Sequence, residues 1–183
     1  TAEAVRIANS PPGRIATQIV PLDVSWSDGA EVAPPLPAAA PQSVSQEAVR
    51  EAAELIRAGE PTLLLLTGKA LRQEPLELAG RIARAFPQVE VMAQTSNGRI
   101  ERGQGRFSVE RVPYPIGQAL PRLQHFRKAI LVGAKAPIAF FAYPGKPSRL
   151  LPQDCACFAL ADIADDLPQA LAALAEELSA RDA

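Results

Sequence analysis

Four consecutive leucines, Leu63–Leu66, stand between Pro61-Thr62 and Thr67-Gly68. An apolar run this short, bounded by proline and glycine, suits a strand buried on both faces, as in a parallel sheet between two helix layers. The segment before it, Q-E-A-V-R-E-A-A-E-L-I-R-A, places Val49, Ala52, Ala53 and Ile56 on one face at helical spacing. Ser45 is its expected N-cap and Gly59 its stop. The same alternation continues down the chain. Pro75–Phe86 reads as a helix with Pro75 in its first turn, 89–93 (V-E-V-M-A) as a strand, and 106–112 (R-F-S-V-E-R-V) as a weaker one. Pro115–Gln124 reads as a short helix, 129–133, 138–142 and 156–161 as strands, and Asp165–Leu178 as a closing amphipathic helix. Strands alternating with helices predict an α/β fold, a doubly wound, Rossmann-like parallel sheet of about six strands with helices on both faces.

The first 44 residues do not fit that pattern. Residues 1–26 read as a helix end, a Pro-Gly turn and one apolar strand. A single helix–strand piece buries too little apolar surface to offset its ordering entropy, so it needs partner strands. The economical expectation is a chain excised from a larger, multi-domain protein. Pro34, Pro35, Pro37 and Pro41 then deny residues 31–44 both helix and central-strand pairing, which predicts an extended linker. Residues 45–183 form the expected main domain.

Composition narrows the partners. A formal charge of −1 argues against nucleic acid, which favours a clustered basic excess. No apolar run approaches the ~20 residues of a bilayer span, and the start lacks the pattern of a signal peptide. Cys155 and Cys157 sit two apart in an apolar run and are expected to be buried small hydrophobes in a reducing cytoplasm. With one histidine, His125, and a C-x-C pair, no zinc-spaced ligand set exists. His125 itself, at a helix end, suggests a terminal or surface role. Thr67-Gly68-Lys69 lacks the upstream glycine and following Ser/Thr of a phosphate-binding loop. Asp165-Asp166 falls at a helix start, where the macrodipole favours negative charge.

What remains is a set of turns directly after predicted strands: Thr67-Gly68-Lys69, Thr95-Ser96-Asn97-Gly98 and Gly133-Ala134-Lys135. In open α/β sheets, ligands bind at the strand carboxyl ends, near the point where strand order reverses. Gly68, Thr95, Gly98, Gly133 and Lys135 are therefore the candidate nucleotide- or flavin-binding residues. Glycines also end strands in sheets that bind nothing, so both alternatives stand. The tract Gly98–Arg106, with three glycines and three arginines, is likewise either a diphosphate cradle or a solvated loop with Arg–Glu pairs.

Two stretches carry a family resemblance. Residues 12–24, P-G-R-I-A-T-Q-I-V-P-L-D-V, resemble the P-G-P-V-x-L-x-I-P-x-D-V that closes the first, pyrimidine-binding domain of the thiamine-diphosphate enzymes related to acetolactate synthase and benzoylformate decarboxylase. From Ser45 onward the order of segments resembles that family's central domain. A strand ends at the small-residue turn Leu63–Gly68, a second runs into T-x-x-G at Thr95 and Gly98, and an I-L-V-G-A strand stands where the family has G-A-R. The tract Gly133–Ser148 is similar to that of a bacterial acetolactate synthase-like subgroup. The resemblance implies that residues 1–30 are the tail of the pyrimidine-binding domain. It also implies a parent enzyme acting on 2-oxo acids with thiamine diphosphate and Mg, whose motifs are not in this chain. A scaffold role for the central domain, with FAD or an adenine nucleotide bound to it in some members, belongs to the same implication. So do flanking domains of the same polypeptide as partners, and a homodimer or homotetramer. Lys135 departs from the family's arginine, and Ala136–Phe141 departs from its polar, flavin-contacting segment.

Two alternatives remain at this stage. One is the central domain of a 2-oxo-acid decarboxylase such as benzoylformate decarboxylase. The other is a free-standing nucleotide-binding module of electron-transfer-flavoprotein type, which leaves the opening segment unexplained.

Overall fold

The computed structural model describes residues 1–29 and 31–180, and the chain divides into two compact units, Thr1–Gln42 and Ser43–Ala183. In the first, helix α1 (Ala2–Asn9) ends where the Ser10 amide donates to Arg6 and Ile7 carbonyls. A Pro-Gly turn follows, closed by the Gly13 amide on Ser10 at 2.7 Å. The expected strand does not form. Residues 14–21 are extended without a ladder partner and lead into a one-turn helix, α2 (Leu22–Trp26). Ile15 and Ile19 are 96% and 88% exposed. An extended segment becomes a strand only when a neighbour pairs with it in a ladder, and no described residue does so; the Arg14 amide instead donates back to the Ala8 carbonyl of α1 at 3.4 Å.

The second unit holds the α/β domain. Helix α3 (Gln46–Arg57) starts at Ser45, whose hydroxyl accepts the Ala48 amide at 3.1 Å, as the N-cap pattern requires. Strand β1 (Thr62–Leu66) is buried at every position. After it come a single 3-10 turn (Gly68–Leu71), helix α4 (Gln73–Ala85) and strands β2 (Val89–Ala93) and β3 (Glu110–Arg111). Helix α5 (Ile116–Leu123), strands β4 (Lys128–Val132) and β5 (Ala156–Ala161) and helix α6 (Leu167–Glu177) complete it.

All five strands are parallel, in the order β3-β2-β1-β4-β5. The strand order reverses between β1 and β4. Alternate leucines of β1 serve opposite cores. Leu64 and Leu66 join Ile130 and Val132 of β4 under α3, α4 and α6, whereas Leu63 and Leu65 join Ala129 and Leu131 under α5. That two-sided burial is what the Leu63–Leu66 run requires.

Three further sequence expectations need correction. The sheet has five strands, not six, because 138–142 is not a strand. It is one side of a loop in which Ile138 and Arg149 make an isolated antiparallel bridge and Ala139 N donates to Ser148 O at 2.7 Å. Pro137 and Pro144 deny it a ladder on both sides. The expected strand over 106–112 contracts to two residues, Glu110–Arg111, at the sheet edge. Cys155 is buried, but Cys157 is exposed. Cys155 lies ahead of β5 in a turn closed on Pro152, and β5 is an edge strand whose first residues are uncovered.

Candidate functional site

At the strand carboxyl ends, side chains of the turns tie three strands together. Thr67 Oγ1 donates to Asn97 Oδ1 at 2.8 Å, and Asn97 Nδ2 donates to the Gln94 carbonyl. The Gln94 amide in turn donates to Leu66 O at 2.9 Å, and the Lys135 amide donates to Gln94 Oε1 at 3.3 Å. Gly68, Thr95, Gly98, Gly133 and Lys135 all lie at this end of the sheet, but they do not converge. Gly68 and Gly133 have φ of +58° and +68°, a region that disfavours side chains. A Cβ on Gly133 would sit 2.6 Å from Leu167 Cδ1, and one on Gly68 would sit 2.8 Å from Ile163 Cδ1. Ile163 and Leu167 thus occupy the space beside both glycines, at the strand-order reversal. Gly98 faces open space. Thr95 and Lys135 line a cavity together.

That cavity is a cleft of about 280 Å³ on the α5 side of the sheet. Its floor is Leu65, Val112 and Leu150; its rim is Tyr114, Ile138 and Phe140; and its polar wall is Gln94, Thr95, Ser96 and Lys135. The Tyr114 and Phe140 rings lie 5.7 Å apart, and Phe141 meets Phe140 edge-on at 4.7 Å. Sequence reasoning missed Gln94, Tyr114 and Phe140. The legible signal was Pro137 and Pro144 bracketing the aromatic pair, which marks a loop that presents rings to solvent.

The arginine tract resolves into structural contacts. Glu101 accepts the first amide of α4, from Gln73, at 2.7 Å and pairs with Arg99 at 2.7 Å. The Gln73 amide, with Arg99, Arg72 and Arg106 nearby, holds the Glu101 carboxyl below the usual carboxylate range. Arg72 donates to the Arg99 carbonyl and Arg102 to that of Val109. His125 stands just past α5, bonded to Glu90 at 2.8 Å. Burial pushes the Cys155 thiol up to about 11, the behaviour of an inert core cysteine. Asp166 accepts the Gln169 amide at 3.1 Å as the N-cap of α6.

A parallel sheet that reverses strand order between β1 and β4, with helices on both faces, defines a Rossmann-like domain. No family model matches the chain. In sequence it is 39% identical over 178 residues to the protein named "Putative acetolactate synthase large subunit IlvX" of Mycobacterium tuberculosis H37Rv. The match covers 97% of this chain and 34% of that protein, so the chain is a homologue of about a third of its relative's length. Its fold matches part of the X-ray structure of a "putative thiamin diphosphate-dependent enzyme" from Mycobacterium smegmatis, with a TM-score of 0.68 and 21% identity. That likeness covers 99% of this chain and 37% of the other.

Proposed function

We propose that the chain is a domain of a thiamine-diphosphate-dependent enzyme of the acetolactate synthase kind, acting on 2-oxo acids and supplying scaffold, not chemistry. The observation that carries this is the sequence match along nearly the whole chain to only a third of such a relative. Thiamine diphosphate and its Mg would be held by other parts of the polypeptide. The residues described here do not fit them: no cluster of three or more His, Cys, Asp or Glu side chains among them could hold a metal ion.

Nor do these residues fit a dinucleotide such as FAD laid across the strand-order reversal. There, glycines would have to admit its diphosphate, and the side chains of Ile163 and Leu167 fill the space instead. The flanking domains, and assembly as a homodimer or homotetramer, belong to the same proposal. The apolar residues 15–24 are the surface on which the first of those domains would pack. No helix among the described residues is long and apolar enough to cross a membrane.

Turnover tests the proposal. A longer polypeptide that carries this segment is expected to release CO2 from pyruvate or another 2-oxo acid only when thiamine diphosphate and Mg2+ are added. The 183-residue chain alone is expected to release none. Cofactor-dependent turnover by the chain alone, or none by the longer polypeptide with any 2-oxo acid, would overturn it.

A further inference from the structure

The cleft beside Lys135 has the makings of a ligand site of its own. Its body is apolar, built from Leu65, Val112, Leu150 and the rim residues Tyr114, Ile138 and Phe140. The rim is costly to leave bare: Tyr114, Ile138 and Phe140 are 51%, 70% and 68% exposed. Three large apolar residues held together at the mouth of a cavity mark a binding surface more than scattered exposure does. The polar part of its lining is Gln94, Thr95, Ser96 and Lys135. Lys135 makes no ion pair with a described residue, and the Thr95 and Ser96 hydroxyls have no hydrogen-bond partner among them. The Gln94 carboxamide oxygen is already committed to the Lys135 amide, which fixes the turn carrying the lysine.

We propose that this cleft binds a small amphipathic carboxylate, with a single ring or branched aliphatic body against Tyr114 and Phe140 and its carboxylate on Lys135, Thr95 and Ser96. Three features select that class. At about 280 Å³ the cleft sits at the lower bound of ligand pockets (~300 Å³), room for a one-ring molecule and not for a dinucleotide. One lysine offers a single positive charge, which matches one carboxylate and leaves a diphosphate under-neutralised. The lining contains no glycine and no arginine, so neither close backbone approach nor a guanidinium fork is available to phosphates. Such a site would exist whatever reaction the longer polypeptide carries out.

The test is a titration of the 183-residue chain by two-dimensional amide NMR. The probes are phenylacetate, 4-methylpentanoate, neutral phenylacetamide and ADP. The two acids should shift the amides of residues 94–96, 114, 136 and 138–140, with saturation in the micromolar to low millimolar range. Phenylacetamide should bind at least about tenfold more weakly than phenylacetate, since a hydrogen bond between ionised partners is roughly twice as strong as a neutral one. Lys135→Met should weaken the acids similarly, and Phe140→Ala should weaken both the acids and phenylacetamide. Should Lys135→Met fail to fold, the acid–amide comparison reads the same interaction in the unaltered chain. Acids that leave these amides unmoved, an amide that binds as well as its acid, or ADP that binds more tightly than either acid would each overturn the proposal.

Discussion

At the scale of single residues, Gly133 shows how a position can look like a ligand site and serve packing. Its left-handed φ and the approach of Leu167 to within 2.6 Å of a virtual Cβ are both met only by glycine. Gly133→Ala is therefore expected to destabilise the domain by about 2–3 kcal/mol, from backbone strain and displacement of Leu167. Gly117, exposed within α5 with nothing near its missing Cβ, is the internal comparison. Gly117→Ala should be neutral or stabilise by up to ~1 kcal/mol. Urea denaturation of the two variants checks both; an unchanged midpoint for Gly133→Ala would mean that α6 yields freely. From sequence, Gly133 was visible as a glycine after a strand. Its neighbour was not, because Leu167 lies 34 positions later and only the crossover brings it there. The same limit applied to Cys157, whose apolar flanks suggested burial, while its place on an edge strand exposes it.

At the scale of elements, α5 is fastened to β2 by a small charged group. Glu90 accepts Arg122 Nη2 at 2.7 Å and His125 Nε2 at 2.8 Å, and Arg122 also approaches Glu110 at 3.7 Å. Partial burial of the Glu90 carboxyl opposes ionisation, but the bonds from Arg122 and His125 outweigh it and hold the group below its ordinary value. A carboxyl depressed in the folded state stabilises fully above its unfolded value, roughly 4.3, and loses that contribution as the pH falls through the folded value. Because the side chain is 41% exposed, solvent screening limits the effect to under ~1 kcal/mol. Glu90→Gln should accordingly lower stability slightly at pH 7, and the difference from the unaltered chain should shrink as the pH falls below the unfolded value of roughly 4.3. A difference independent of pH, followed by thermal melts from pH 3 to 8, would place the effect elsewhere.

Elements were also the most legible level. The strands 89–93 and 156–161 match their expected bounds, as do the Ser45 cap and the acidic start of α6. Each rests on local chemistry: an apolar run between breakers, or a hydroxyl or carboxylate placed before a helix. The link from β4 to β5 failed because it carries no helix. An irregular segment covers that face of the sheet, placing Ala134, Leu150, Leu151 and Cys155 in the core and the rings outside. No periodicity announces such a segment.

At the scale of the whole molecule, every residue of both core clusters falls within Ser43–Ala183, while Thr1–Gln42 leaves Ile15, Ile19, Trp26 and Val32 largely exposed. None of the described residues of the first unit is buried in a core, and its apolar residues are the kind of surface another domain would cover. The relative extends to about three times the matched length. The candidate site was the least legible part, since the cleft is assembled from β1 and the segments that follow β2, β3 and β4, whose convergence depends on strand order. Calorimetric titration of thiamine diphosphate with Mg2+ tests the account most directly, into the 183-residue chain and into a longer polypeptide carrying it. The account predicts saturable binding by the longer polypeptide and no heat of binding with the chain alone; saturable binding by the chain alone would contradict it.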